Sequence, residues 1–300
     1  MTNTHEHPKA VLLLAFGGPE SINEVEPFLK ALMEGRQVRA QQVEAVKERY
    51  KLIGGGSPLK SITNMQAQAL ESSLNKDNPY YRVFTGMRYT EPSIEHAVEQ
   101  VISLGCHDII ALPLSPYYNS ASTGKYIQRL EQVTAGRELN VKVIKSYNTN
   151  PFFIKAVQQV IRQALGTMDS PFVIFSAHSL PVGTAKADGY IAQLEQTLKL
   201  ILKDMPLFEY ASAFQSRGLT GSDWLGPDVR DIMDACEHEG KKNVLVVPYG
   251  FISDHVETLY DIDIVYKGYA ESIGLKFKRT PSLNTSGMLI QALKDVVIKI

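Results

Sequence analysis

Cysteine is almost missing from this chain. Two residues, Cys106 and Cys236, stand far apart and neither belongs to a CxxC pair. That excludes a four-cysteine zinc or iron–sulfur centre built by this chain alone, and two free thiols suit a reducing compartment. An excess of charge is missing too. Lys and Arg number 31 against 32 Asp and Glu, so there is no broad basic field for nucleic acid. The cationic stretches are local, at Lys241-Lys242 and from Lys276 to Arg279. No apolar run approaches the roughly 20 residues of a membrane helix. The start, MTNTHEHPKAVLLLAF, has one early positive charge and a short apolar run ended by Gly17-Gly18-Pro19, so it does not read as a secretory signal. A soluble protein that at most touches a membrane surface is expected. Phosphate-loop, GxGxxG and GxSxG patterns are absent, so neither nucleotide binding nor a Ser-His-Asp hydrolase is indicated.

What is present is ordinary globular material: 44% apolar and 21% charged residues over 300 positions, enough for one large domain or two of usual size. Short aliphatic runs predict strands at Ala10–Phe16, Tyr81–Thr85, Asp108–Pro113, Val141–Ser146, Phe172–Ala177, Glu209–Phe214, Asn243–Pro248 and Leu275–Arg279. Several are continuously apolar, as parallel strands covered on both faces are. Helical periodicity predicts helices at Ser93–Leu104, Phe152–Leu165, Tyr190–Asp204, Pro227–Glu239 and Asp254–Ser272. This alternation implies a doubly wound α/β fold. The pattern runs twice: one apolar strand opens into Ala15-Phe16-Gly17-Gly18-Pro19, another into Ala177-His178-Ser179-Leu180-Pro181. Two similar lobes are therefore expected, residues 1–150 and 151–300, joined at Asn148-Thr149-Asn150-Pro151 with a cleft between them. Residues 21–59 exceed a minimal βαβ unit. They carry Val25, Phe28, Leu29, Leu32 and Met33 at helical spacing and end in Gly54-Gly55-Gly56-Ser57-Pro58-Leu59, which suits a pocket wall or lip, or an ordinary surface helix.

Two segments carry chemistry. His178 follows an apolar strand, where ligands bind in this architecture. Asp254, Glu257 and Asp261 follow another, at spacings of three and four that put them on one face of an ideal helix. An acidic solvated face is the plain alternative, but Leu259, Tyr260, Ile262, Ile264 and Val265 imply burial. An imidazole facing carboxylates can bind a divalent cation, move protons, or do both. His255 projects away from Glu257 on an ideal helix and reads as scaffold. The glycine clusters suit close backbone approach to a flat ligand, or plain turns.

At this point the blocks LLLAFGGPES, IGGGSPL, GMRYTEPSIE, LPLSPYYNSASTGKY, FSAHSLP, FQSRGLTGSDWLGPDV and VPYGFISDHVETLYDIDI stand in one order along the chain. In that order the sequence resembles the ferrochelatases. The resemblance implies two Rossmann-like lobes around a porphyrin cleft and insertion of Fe²⁺ into a porphyrin with release of two protons, a late step of haem synthesis. It implies His178 and Glu257 as the catalytic pair, with His178, Glu257 and more weakly Asp261 toward the metal. It implies Phe16, Ser57, Arg88, Tyr89, Ser120, Ser122, Thr123 and Tyr126 toward the porphyrin. Phe16 stands where some members carry a metal-contacting tyrosine, and Val265 where the family often has a further acid. Fe²⁺ is then a substrate, no tightly bound cofactor is expected, and two cysteines cannot build the iron–sulfur cluster of some relatives. The resemblance also implies a cytoplasmic protein, peripheral to the inner membrane if its lip touches lipid, with a monomer expected. Protoporphyrin IX is the expected porphyrin, with coproporphyrin III next. A cobalt or nickel chelatase and a non-catalytic haem or porphyrin carrier are the rival readings.

Overall fold

Runs such as Ala10-Val11-Leu12-Leu13-Leu14 lose all exposure in the fold because both faces of each sheet are covered, so apolar residues are needed at every position rather than every second one. In the computed structural model, which describes residues 8–76, 80–218 and 223–300, the chain runs β1 (Lys9–Ala15), α1 (Val25–Leu32), α2 (Ala40–Leu52), α3 (Leu59–Leu74), β2 (Tyr81–Met87), α4 (Ile94–Ser103), β3 (Asp108–Pro113), α5 (Thr123–Thr134) and β4 (Asn140–Val143). It continues with α6 (Pro151–Leu165), β5 (Phe172–His178), α7 (Val182–Ala187), α8 (Tyr190–Lys203), β6 (Tyr210–Gln215), α9 (Val229–His238), β7 (Asn243–Val247), a π-helix (Glu257–Tyr266), α10 (Lys267–Ser272), β8 (Lys276–Arg279) and α11 (Gly287–Ile298). All eight predicted strands are present. His5 and His7, and residues 219–222 of the FQSRGLTGSDWLGPDV block, lie outside the described residues.

The strands form two four-stranded parallel sheets in the orders β2-β1-β3-β4 and β6-β5-β7-β8. The second order repeats the first, so the pattern does run twice. Each sheet reverses its winding direction once, between β1 and β3 and between β5 and β7, and the crevice beyond the strand ends at such a point is where doubly wound folds bind ligands. Val11 and Leu13 face the same hydrophobic core as Val173, Phe175 and Leu245, which joins the two sheets. Leu12 and Leu14 fill a second core behind the first sheet, and Ile174 and Val246 a third behind the second.

Two features bear on the site. Asn150 caps α6, its side chain accepting from the amides of Phe152 and Phe153, with Pro151 in the first turn. The predicted joint is thus pinned at the buried Asn150, whose Nδ2 also donates to Asp295 of α11 at 2.8 Å. The 21–59 segment is α1 and α2, followed by the glycine loop. Gly56 packs so tightly on the Glu20 carbonyl that a β-carbon there would sit 2.1 Å from its oxygen, which is why this turn needs glycine. Among the described residues no helix is long and apolar enough to cross a membrane.

Candidate active site

Loops from both winding-reversal points converge on one cavity of 370 Å³. After β1 come Phe16 and Gly17; after β3, Leu114, Ser115 and Asn119; after β5, His178 and Leu180; after β7, residues Gly250 to Ser253 and His255 to Glu257. Phe28 and Leu32 of α1, Tyr50 of α2, and Ser57 also line the cavity. Gly17 holds its loop at φ 88°, and a β-carbon there would meet the Thr90 hydroxyl at 2.4 Å.

His178 is the last residue of β5, paired in register with Gln215 of β6. Its Nδ1 lies 3.0 Å from Glu257 Oε2, leaving Nε2 as the ring nitrogen available to the cavity. The backbone beneath is fixed from two sides. Tyr190 donates to the His178 carbonyl at 3.2 Å, and the buried Gln215 amide donates to the Glu257 carbonyl at 3.3 Å while accepting from Ser176. Burial pulls the imidazole down, but the Glu257 charge and hydrogen bond, with Asp261 behind them, outweigh it and hold His178 above its usual range. Burial pushes the Glu257 carboxyl up, yet His178 and then His255 outweigh it and hold Glu257 at about 2. The pair is therefore an imidazolium–carboxylate pair at weakly acidic pH, and a basic imidazole once that proton leaves.

The expected row of three acids is not there. Asp254 precedes the helix and turns away to Arg279 at 3.0 Å, Ser282 at 2.7 Å and Asn284 at 2.8 Å. Arg279 also grips Asp263 with two bonds, at 2.7 and 2.8 Å. One guanidinium thus clamps the chain on both sides of Glu257 and takes Asp254 out of the chemistry. The helix itself is wound i→i+5: the Lys267 amide bonds the Ile262 carbonyl. Such winding turns less per residue, so Glu257 and Asp261 still project together. Asp261 accepts from Ser216 at 2.6 Å. Burial raises its pKa, with the Ser216 bond opposing and Glu257 adding. Among the described residues no group of three His, Cys, Asp or Glu side chains converges as a metal cage.

His255, read from sequence as scaffold, lies ahead of the π-helix, so the ideal-helix projection does not apply to it. It lines the cavity, its ring centroid 4.7 Å from that of Phe251 in a tilted contact, with Nδ1 3.0 Å from the Ser253 carbonyl. Of the residues expected to meet a flat ligand, Phe16, Ser57, Ser122 and Tyr126 line the cavity. Arg88 and Tyr89 line an adjoining cavity of 630 Å³ that shares the Phe28 wall. Ser120 is spent on Asp188, and Thr123 is fully buried and bonded to Asn119 behind the wall. Tyr50, Tyr190, Gln215 and Phe251 were not singled out by sequence. Gln215 and Phe251 fall inside the quoted blocks, which was the available signal.

The ferrochelatase family model matches residues 8–300. The chain belongs to the ferrochelatase family. It is 36% identical to the ferrochelatase of Geotalea daltonii, over 96% of each sequence. It is 35% identical to the coproporphyrin III ferrochelatase of Oceanobacillus iheyensis, again over 96% of each. The fold is shared with SirB from Bacillus subtilis, solved with Fe³⁺ (TM-score 0.61, 13% identity, 97% of this chain and 95% of that one). It is shared also with CbiX, described as the terminal enzyme of sirohaem biosynthesis in denitrifying bacteria (TM-score 0.51, 12% identity, 97% and 99%). As a ferrochelatase the chain is a metal chelatase that inserts Fe²⁺ into a porphyrin, and both are its substrates. The cavity suits that chemistry: it offers apolar walls for a flat ring and one imidazole–carboxylate pair.

Proposed function

We propose that the porphyrin is protoporphyrin IX, that His178 accepts the inner N–H protons as iron enters, and that Glu257 holds and charges it for that task. The observation that carries the pair's role is the 3.0 Å bond between His178 and Glu257 in the wall of the cavity. Two pyrrole protons must leave as Fe²⁺ binds, and a rigid ring presents its nitrogen lone pairs poorly until it is distorted. Binding energy from the apolar walls can supply that distortion. A positioned base then contributes on the order of 10²–10⁴-fold. The choice of protoporphyrin rests on the wall chemistry. Among the described residues the lining side chains include no Lys or Arg, which favours a ring with two vinyl groups over one bearing two further carboxylates. Fe²⁺ is a substrate in this reading, and no resident cofactor is called for.

Iron insertion is followed by the visible spectrum under anaerobic conditions. His178→Ala is expected to lose nearly all turnover with the fold intact; near-normal turnover overturns the assignment. Wild-type protein is expected to give a higher kcat/KM with protoporphyrin IX than with coproporphyrin III. The reverse order favours the activity named for the Oceanobacillus relative.

A further inference from the structure

The lip of the cleft carries an ion cluster that the insertion chemistry does not use. Just past α1, Glu34 adopts φ 48°, followed by Gly35 at φ 87°, a backbone that residues other than glycine, Asn and Asp adopt rarely. This turn sets one carboxylate on two cations: Arg88 Nη2 at 3.0 Å and Lys125 Nζ at 3.4 Å. Arg88 follows β2, and Lys125 lies in the first turn of α5. Both stand beside the cavity. The Arg88 guanidinium lies 4.8 Å from the Tyr89 ring, which lies 4.8 Å from the Phe16 ring of the cavity wall. Lys125 precedes Tyr126 of the same wall. Arg88 Nε is buried without a hydrogen-bond partner, an unspent donor. In the adjoining cavity, whose cationic lining residues are Arg88 and Lys60, the second is likewise held by Glu20, at 2.7 Å.

We propose that Glu34 is a specificity-determining residue that occupies, as a built-in carboxylate, the cations a porphyrin side-chain carboxylate would otherwise take. It thereby disfavours porphyrins with four carboxylates relative to those with two. The physical reason is competition: an incoming carboxylate must displace Glu34 or share its cations, and each further carboxylate left without a partner loses its hydration for nothing. The lip position matters because Glu34 directly follows α1, whose Phe28 and Leu32 line the cavity. This inference rests on the porphyrin reading above.

The test compares wild type, Glu34→Gln and Glu26→Gln. Glu26 pairs with exposed Lys30 at 2.7 Å on the same helix, so it removes the same charge away from the cations. Porphyrin affinity is read by fluorescence quenching and insertion by spectrum, with coproporphyrin III and protoporphyrin IX. Glu34→Gln is expected to raise the coproporphyrin-to-protoporphyrin ratio about threefold or more, an effect that shrinks in ~0.5 M salt. Glu26→Gln leaves the ratio unchanged, and adding Lys125→Met to Glu34→Gln brings it back toward wild type. An unchanged ratio in Glu34→Gln, an equal rise in Glu26→Gln, or a rise indifferent to salt overturns the proposal while leaving iron insertion standing. Absence of wild-type insertion with either porphyrin overturns the porphyrin reading, and this inference with it.

Discussion

Replacing Glu257 with Gln keeps the shape of the side chain and removes its charge, which isolates what the carboxylate does for His178. The shift of Glu257 from 4.5 to about 2 corresponds to roughly 3 kcal/mol of preference for the ionised form in the fold. The side chains of His178 and Glu257 keep 35% and 26% exposure, so solvent screening lowers the expected contribution to about 2 kcal/mol. Its sign follows from the two directions. Glu257, depressed in the fold, contributes above pH 4.5 and loses that contribution as pH falls toward 2. His178, raised in the fold, contributes below pH 6.5 and loses that contribution as pH rises through its elevated pKa. Both are complete between 4.5 and 6.5. Urea denaturation should therefore find Glu257→Gln less stable than wild type by about 2 kcal/mol at pH 5.5, and by less at pH 3 and pH 9. The same change leaves burial as the dominant influence on the imidazole, so His178 becomes a weaker base. Its limb in the pH–rate profile moves to lower pH, and kcat/KM falls by about 10²-fold or more. A stability difference constant from pH 5.5 to 9 would refute the ion pair. Retained turnover in folded protein would refute its place in the chemistry.

Arg279 is only 11% exposed and holds Asp254 and Asp263 together; Arg279→Met should cost about 3 kcal/mol in chemical denaturation. It should also lower kcat more than it raises KM, because Glu257 loses its clamp, whereas an equal effect on both would speak against that coupling. Asn150→Ala removes the α6 cap and the bond to Asp295. Its expected destabilisation is about 1–2 kcal/mol with kcat unchanged, read from thermal melts and initial rates.

The sequence disclosed most where one residue's environment depends on its neighbours in the chain. The apolar runs of β1, β5 and β7 name themselves as doubly covered strands, and the residues just past them are at the ligand-binding edge by topology alone. His178 and Glu257 were legible for that reason. Asp254 was not, because its fate is decided by Arg279, 25 positions away, and no local pattern announces a partner at that distance. The π-helix was also hidden: the spacing of its apolar residues fits α winding equally well, so no sequence signal separates the two. Helices α3 and α11 break the simple alternation for a related reason. They pack on each other across the two lobes, with Gln66 of α3 bonded to Ser253 and to the Asn284 carbonyl. Such contacts belong to the assembled fold and have no signature in either segment alone.

The division of labour between the lobes follows from what each copy of the topology carries at its strand ends. After β1 and β3 stand Phe16, Gly17 and Leu114, which offer shape and no titratable group. After β5 and β7 stand His178 and Glu257. Under the proposed roles, a flat ring between such edges meets a passive wall on one side and the His178–Glu257 pair on the other. The wider winding of the helix after β7 fixes how far that polar face reaches. Glu257 and Asp261 project together, Ser216 holds Asp261, and the next residue in the stripe is the half-buried Val265. Beyond Glu257 the helix carries one further carboxylate, Asp261, raised toward protonation by burial, and no third acid at Val265. In this chain the acidic run is two carboxylates long, and its outer member is tied to the strand-end serine after β6 rather than to another acid on the helix.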